Sequence, residues 1–169
     1  MSKVTELETT KKNIKNLTSE KLNACLGKDI KDICDKGYTD PKINHCAHFV
    51  SHVLDLKVGL VCGSMKYATR GEGTSLRVNE IYNACSSTGA WSNRPISNTH
   101  CLIFATLPSN IKNGEMQNHP RKHIGVYING TAWHYSNRGD KVVTDSAESF
   151  LIKFRGVYGK DTLTYYGAL

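Results

Sequence analysis

Between residues 44 and 54 the apolar positions Phe49, Val50, Val53 and Leu54 recur at helical spacing, and Cys46 falls on the same stripe one turn earlier. Pro41 and Asn44 stand just ahead, where breakers and N-caps belong. The pattern predicts a buried helix whose first turn carries a cysteine. Upstream, Leu7, Ile14, Leu17 and Leu22 give a looser stripe over residues 4–26, with Thr18 as a restart signal and Gly27 as a stop. Residues 29–34 predict a further short helical turn, and residues 37–41 a loop. Gly59, Gly63, Gly71, Gly73 and Gly89 then mark an irregular region up to residue 99, long enough to suggest a substrate-binding loop. Within it Leu76, Val78, Ile81 and Tyr82 predict one short helix over residues 75–84.

From residue 101 the pattern turns strand-like. A continuous apolar run over residues 101–107 ends at Pro108 and predicts a buried strand; residues 109–121 are a polar loop. Residues 122–128 form a second strand, followed by Asn129-Gly130, the strongest short hairpin signal, and a return strand over 131–135. Arg138-Gly139-Asp140 makes another turn before a strand at 141–144. Asp145 is placed to cap a short helix through Phe150, and residues 163–166 close the chain as a last strand. Helices followed by a meander of antiparallel strands make an α+β domain, with the helices segregated to one side of the sheet.

Composition narrows the class. The chain of 169 residues suits one domain, and 39% apolar with 22% charged residues is ordinary for a globular protein. No run approaches a membrane span, and the first residues lack an apolar signal-peptide core. The expectation is synthesis in the cytoplasm, with any export to the periplasm or cell wall by a route that reads no cleaved signal. The net charge of +7 points to an anionic partner, but no nucleic-acid motif accompanies it, so nucleic acid is not expected.

Six cysteines are present, Cys25, Cys34, Cys46, Cys62, Cys85 and Cys101, with no C-x-x-C pair to suggest a zinc ribbon. Free thiols are the default; in an oxidising space Cys25 with Cys34, and Cys62 with Cys85, are the pairs to consider. His48 and His52 stand one turn apart at metal-ligand spacing, where Cys46 or His45 could join them. The glutamate of a zinc-peptidase signature is absent, so neither a metal nor another cofactor is expected.

A helix N-terminus lowers a thiol's pKa through its free N–H groups and partial positive charge, and the thiolate is the nucleophile. Such a cysteine needs a base nearby, and the base needs an orienting partner. His123 opens one strand of the predicted hairpin and His134 lies on the other, close enough for one imidazole to fix the tautomer of its neighbour. Packing the helix N-terminus on that hairpin would bring Cys46 to His123.

These residues carry a resemblance. Lys122-His123-Ile124-Gly125-Val126-Tyr127-Ile128 is similar to the His-Val-Gly-Ile-Tyr strand of NlpC-type cell-wall peptidases and their CHAP amidase relatives. Ala132-Trp133-His134-Tyr135-Ser136 matches the position of their third polar residue. The resemblance covers residues 38–143 and implies a papain-like core over residues 37–169, capped by helices over residues 1–36, in a single catalytic domain. It further implies a cysteine amidase or endopeptidase acting on peptidoglycan stem peptides or cross-links through Cys46, His123 and His134. The Cys46 N–H would bind the oxyanion, with Tyr38 helping to line that site. Trp133 would line the substrate groove, and Asn137 is the reserve third member of the triad. A bacterial effector toxin with a cognate inhibitor (immunity) protein fits the size and charge.

The nucleophile's neighbours depart from the family. His45-Cys46-Ala47-His48-Phe49-Val50 replaces the usual Asp-Cys-Ser-Gly and looks like the corresponding run of lecithin retinol acyltransferase relatives, whose histidines precede the cysteine. Two other readings therefore stand beside the peptidase: a non-catalytic wall- or partner-binding module of the same fold, and a lipid acyl hydrolase or transferase.

Overall fold

The computed structural model describes residues 13–65 and 73–169. The first nine residues of the predicted N-terminal helix, and Gly71, lie outside them. Thr18 does restart a helix: its Oγ1 accepts from the Lys21 N–H and caps α1 (Ser19–Asn23). Gly27 ends the cap segment at φ +74°, a left-handed conformation that costs glycine nothing. Residues 30–32 are a single 3-10 turn capped by Asp29. The cysteine helix is α2 (Cys46–Leu54), and the glycine-rich region contains α3 (Val78–Ala84).

The strands are β1 (Ser87–Ala90), β2 (His100–Thr106), a two-residue hairpin of β3 (Ile111–Lys112) and β4 (Glu115–Met116), β5 (Lys122–Ile128), β6 (Thr131–Ser136), β7 (Lys141–Ser146) and β8 (Leu163–Ala168). Six of them form one antiparallel sheet in the order β1-β8-β2-β5-β6-β7. The last strand is thus an inner one, between β1 and β2. The sequence pattern missed β1 and the β3–β4 hairpin; both are short and neither alternates cleanly.

The helix after β7 is longer than expected and is capped by Ser146 rather than Asp145: α4 spans Ala147–Tyr158, and Ser146 Oγ accepts from the Ser149 N–H. It also corrects the one-sided layout. Alternation along β2 sends Leu102 and Phe104 into a core with α2 and α3, and Cys101, Ile103 and Ala105 into a second core with Phe150 and Phe154 of α4. In β5, Ile124, Val126 and Ile128 join the first core and Tyr127 the second. A central strand that is apolar on both faces needs cover on both, and α4 supplies the second layer. Among the described residues no helix is long and apolar enough to cross a membrane.

Candidate functional site

The N-terminus of α2 is tied down by two asparagines. Asn44 Oδ1 accepts the Cys46 N–H at 2.9 Å, and Asn137 Oδ1, reaching from the β6–β7 turn, accepts the His45 N–H at 2.9 Å. Cys46 is the first helical residue and only 2% exposed. Burial pushes its thiol up to about 12, opposed by the backbone N–H groups of Ile124 and Ala47, which face the sulfur, and by the Lys122 ammonium. The sulfur therefore lies against the backbone of the residue that follows His123.

His123 and His134 are brought together as the hairpin predicts. His123 Nε2 and His134 Nδ1 are 3.0 Å apart, and His134 Nε2 lies 2.7 Å from Asp145 Oδ2. A carboxylate can only accept, which fixes every proton along this chain. His134 donates from Nε2 to Asp145, its bare Nδ1 accepts from His123 Nε2–H, and His123 Nδ1 is left with a lone pair. That nitrogen is buried and has no hydrogen-bond partner. The His123 ring stacks on Phe154 at a centroid distance of 4.1 Å and touches Phe150. Burial first, then the nearby His134 and Lys153 charges, hold His123 well below the usual imidazole range. Burial also lowers His134, against the raising effect of its bond to Asp145. Asp145 titrates below its usual range: burial acts to raise it, but hydrogen bonds from His134 and the Lys153 ammonium outweigh that.

Asp145 is the member of this hydrogen-bonded chain that the sequence pattern assigned elsewhere, as a helix cap. It faces Ala132 across the β6–β7 ladder, and His134 faces Val143, so the carboxylate is the diagonal neighbour of His134 on the same sheet face. That register is the signal by which a paired-strand alignment could have found it.

The thiol and the rings approach β5 from different sides. Ile124 packs with Cys46 in the first core, whereas His123 leaves the strand towards Phe150 and Phe154 of α4. The β5–β6 ladder runs only from Ile128–Thr131 to Val126–Trp133, and beyond it the two strands are joined through the imidazole pair. No hydrogen bond joins Cys46 Sγ to His123 Nδ1.

Four expected roles meet other partners in the structure. Trp133 is 3% exposed, packs in the first core and donates its indole N–H to Asn23 Oδ1 at 3.0 Å, so it does not line a groove. Asn137 anchors the backbone of α2, and the partner of His123 is His134. Tyr38 packs edge-on against His45 and His48, with centroid distances of 5.9 Å and 5.6 Å, and so belongs to the neighbourhood of those rings. The Cys46 N–H, the expected oxyanion donor, is occupied by Asn44.

A second cluster lies further along α2. Ligand atoms of Cys34, His48, His52 and Cys62 all fall within 4.8 Å of one another. The companions of the helical histidine pair are thus Cys34 and Cys62, from two loops, rather than Cys46 or His45. All six cysteines are free thiols, so neither Cys25–Cys34 nor Cys62–Cys85 is bridged.

The buried imidazoles set the acid limit of stability. Burial lowers His123 and His134 in the folded state, as it does His45, His48 and His52, so below the unfolded pKa of about 6.5 the unfolded state binds more protons. Stability is then fully present above that pH and falls below it, by at most about 1.4 kcal/mol per pH unit for each ring. Denaturant titrations at pH 7.5, 6.0 and 5.0 should show this slope. His123→Gln should make it shallower by close to one proton's worth.

No protein-family model matches the chain, and no characterised protein matches it. No solved structure matches it either.

Proposed function

We propose that the protein is a cysteine hydrolase of papain-like, NlpC-type architecture that cleaves amide bonds in peptidoglycan peptides. One observation carries this reading. A histidine pair anchored by a carboxylate ends in a buried, unpartnered Nδ1 lone pair on the residue next to the one whose N–H faces Cys46 Sγ. A thiol at a helix N-terminus and an oriented base are the groups nucleophilic acyl transfer requires, and here the two flank the same strand, β5.

In this mechanism His123 Nδ1 takes the Cys46 proton, and the new imidazolium is stabilised through His134 by Asp145. The thiolate attacks the amide carbonyl. His123 then gives its proton to the departing amine, and water, activated by the same ring, releases the acyl group. Cys46 Sγ and His123 Nδ1 lie on different sides of β5 in the free protein, so the first proton transfer requires the His123 ring to leave its stack on Phe154 and swing towards the thiol when substrate binds. Asn44 is exposed, so its side chain is free to turn away and release the Cys46 N–H to a developing oxyanion.

The substrate class follows from charge. Lys122 lies beside the thiol and donates to Asn118 Oδ1 and to the His119 carbonyl, two residues that with Lys112 line an open surface depression of about 220 Å³. Burial lowers the Lys122 ammonium, and Cys46 partly offsets this. A cationic, hydrogen-bonding approach suits the carboxylate-rich stem peptide, as does the net charge of +7.

The near-complete burial of Cys46 favours a second reading, a binding module of the same fold whose cysteine is a core residue. Incubating purified peptidoglycan with the wild-type protein and with Cys46→Ala, then identifying released fragments by mass spectrometry, separates the two. The hydrolase reading expects fragments from the wild type alone. Fragments from both proteins, or from neither, overturn it, and release of fatty acid from phospholipid instead selects the acyltransferase reading.

A further inference from the structure

We infer that Cys34, His48, His52 and Cys62 form a structural zinc site that fastens α2 to the two loops flanking it. The chain contributes two thiols and two imidazoles, a soft S2N2 set that selects zinc and leaves no open position for substrate. A tetrahedral zinc site needs about 3.3 Å between nitrogen ligands and about 3.8 Å between sulfurs. His48 Nε2 and His52 Nε2 are 3.1 Å apart, and no ligand pair exceeds 4.8 Å, so small side-chain adjustments close the tetrahedron.

Two further features prepare these atoms for a metal. The backbone N–H of Lys36 reaches Cys34 Sγ at 3.4 Å, and that of Thr74 reaches Cys62 Sγ at 3.4 Å. Each sulfur is thereby an acceptor, as a metal thiolate is. The histidine tautomers follow from a relay behind the cluster. Asp40 O lies 2.8 Å from His45 Nε2 and can only accept, so that nitrogen carries the proton and His45 Nδ1 is bare. His48 Nδ1, 3.1 Å away, must then donate to it, which leaves a lone pair on His48 Nε2, directed at the cluster. This is the outer-shell arrangement that orients a metal-bound histidine. His45 and Tyr38, the latter edge-on to both rings, complete the wall around it.

The role follows from position. Cys34 comes after the 3-10 turn at residues 30–32 and Cys62 opens the 3-10 turn Cys62–Ser64, both in stretches with few backbone ladder bonds of their own. One ion would hold both against α2, the helix that begins with Cys46. Loading takes Zn2+ from solution, forms two Zn–S and two Zn–N bonds, and releases the thiol protons of Cys34 and Cys62 to solvent. The ligand set does not involve Cys46, so the site stands or falls separately from the hydrolase reading.

Metal analysis of the full-length purified protein tests this directly. The expected result is close to one zinc per chain. Cobalt substitution should give the thiolate charge-transfer and intense ligand-field bands of a tetrahedral S2N2 site. Cys62→Ser and His52→Gln should weaken zinc binding by more than about tenfold, while Cys25→Ser and Cys46→Ala keep it. Chelation should lower the Tm of the wild type and leave the apo variants unmoved. If a ligand variant does not fold, the zinc content and cobalt spectrum of the wild type decide alone. Absence of zinc after supply of Zn2+, a cobalt spectrum without thiolate bands, or a Cys34–Cys62 disulfide in peptide mapping overturns the proposal.

Discussion

His123→Gln is expected to lower kcat/KM for peptidoglycan peptides by about 10²–10⁴-fold, the usual worth of a positioned general base. Glutamine is close in size and polar but cannot cycle a proton near neutral pH. Asp145→Asn should cost less, on the order of tenfold to a hundredfold, because it acts through an intervening ring. Its effect has a distinctive cause. An amide can donate as well as accept, so His134 is no longer obliged to keep its proton on Nε2. The alternative tautomer places a proton on His134 Nδ1, opposite His123 Nε2–H, and breaks the 3.0 Å contact between the rings. The acid limb of the pH–rate profile should therefore move in Asp145→Asn. A side chain with only a packing role would change stability and leave that limb in place. Equal activity in wild type and His123→Gln would show that this ring is not the base.

Gly125→Ala should both destabilise the fold and separate the ring pair. A Cβ built there would lie 2.9 Å from the Trp133 carbonyl oxygen, 3.2 Å from His134 Cβ and 3.3 Å from Ile103 Cγ2. The first of these is backbone of the adjacent strand, so relief requires β5 and β6 to part at the place where the rings meet. Overpacking of this kind costs about 1–3 kcal/mol. The expected observation is a lower denaturant midpoint at unchanged m, together with a loss of activity out of proportion to the unfolded fraction. Gly156→Ala is the contrasting substitution. It lies in α4 with nothing within 4 Å of the added carbon, and it should stabilise by about 0.5–1 kcal/mol through helix propensity. A neutral Gly125→Ala would mean that β6 can withdraw without consequence for His134.

Local pattern alone determined a good deal of this protein. The 3.6-residue stripe through Phe49, Val50 and Val53 specified α2 with Cys46 in its first turn, and Asn129-Gly130 between apolar runs specified the β5–β6 hairpin and the pairing of His123 with His134. Both are encoded over a few residues, by spacing and by turn chemistry, and so survive without tertiary information. What only the folded chain decided are relations between distant segments. The register of β7 on β6 put Asp145 behind His134, and a second apolar face on β2 and β5 called α4 to the far side of the sheet. Two isolated cysteines, 14 residues before His48 and 10 after His52, met on one side of α2. No periodicity links positions 34, 48, 52 and 62, because each cysteine stands alone in its own loop. Their meeting is set by where those loops cross the helix, which long-range packing fixes and a linear pattern does not.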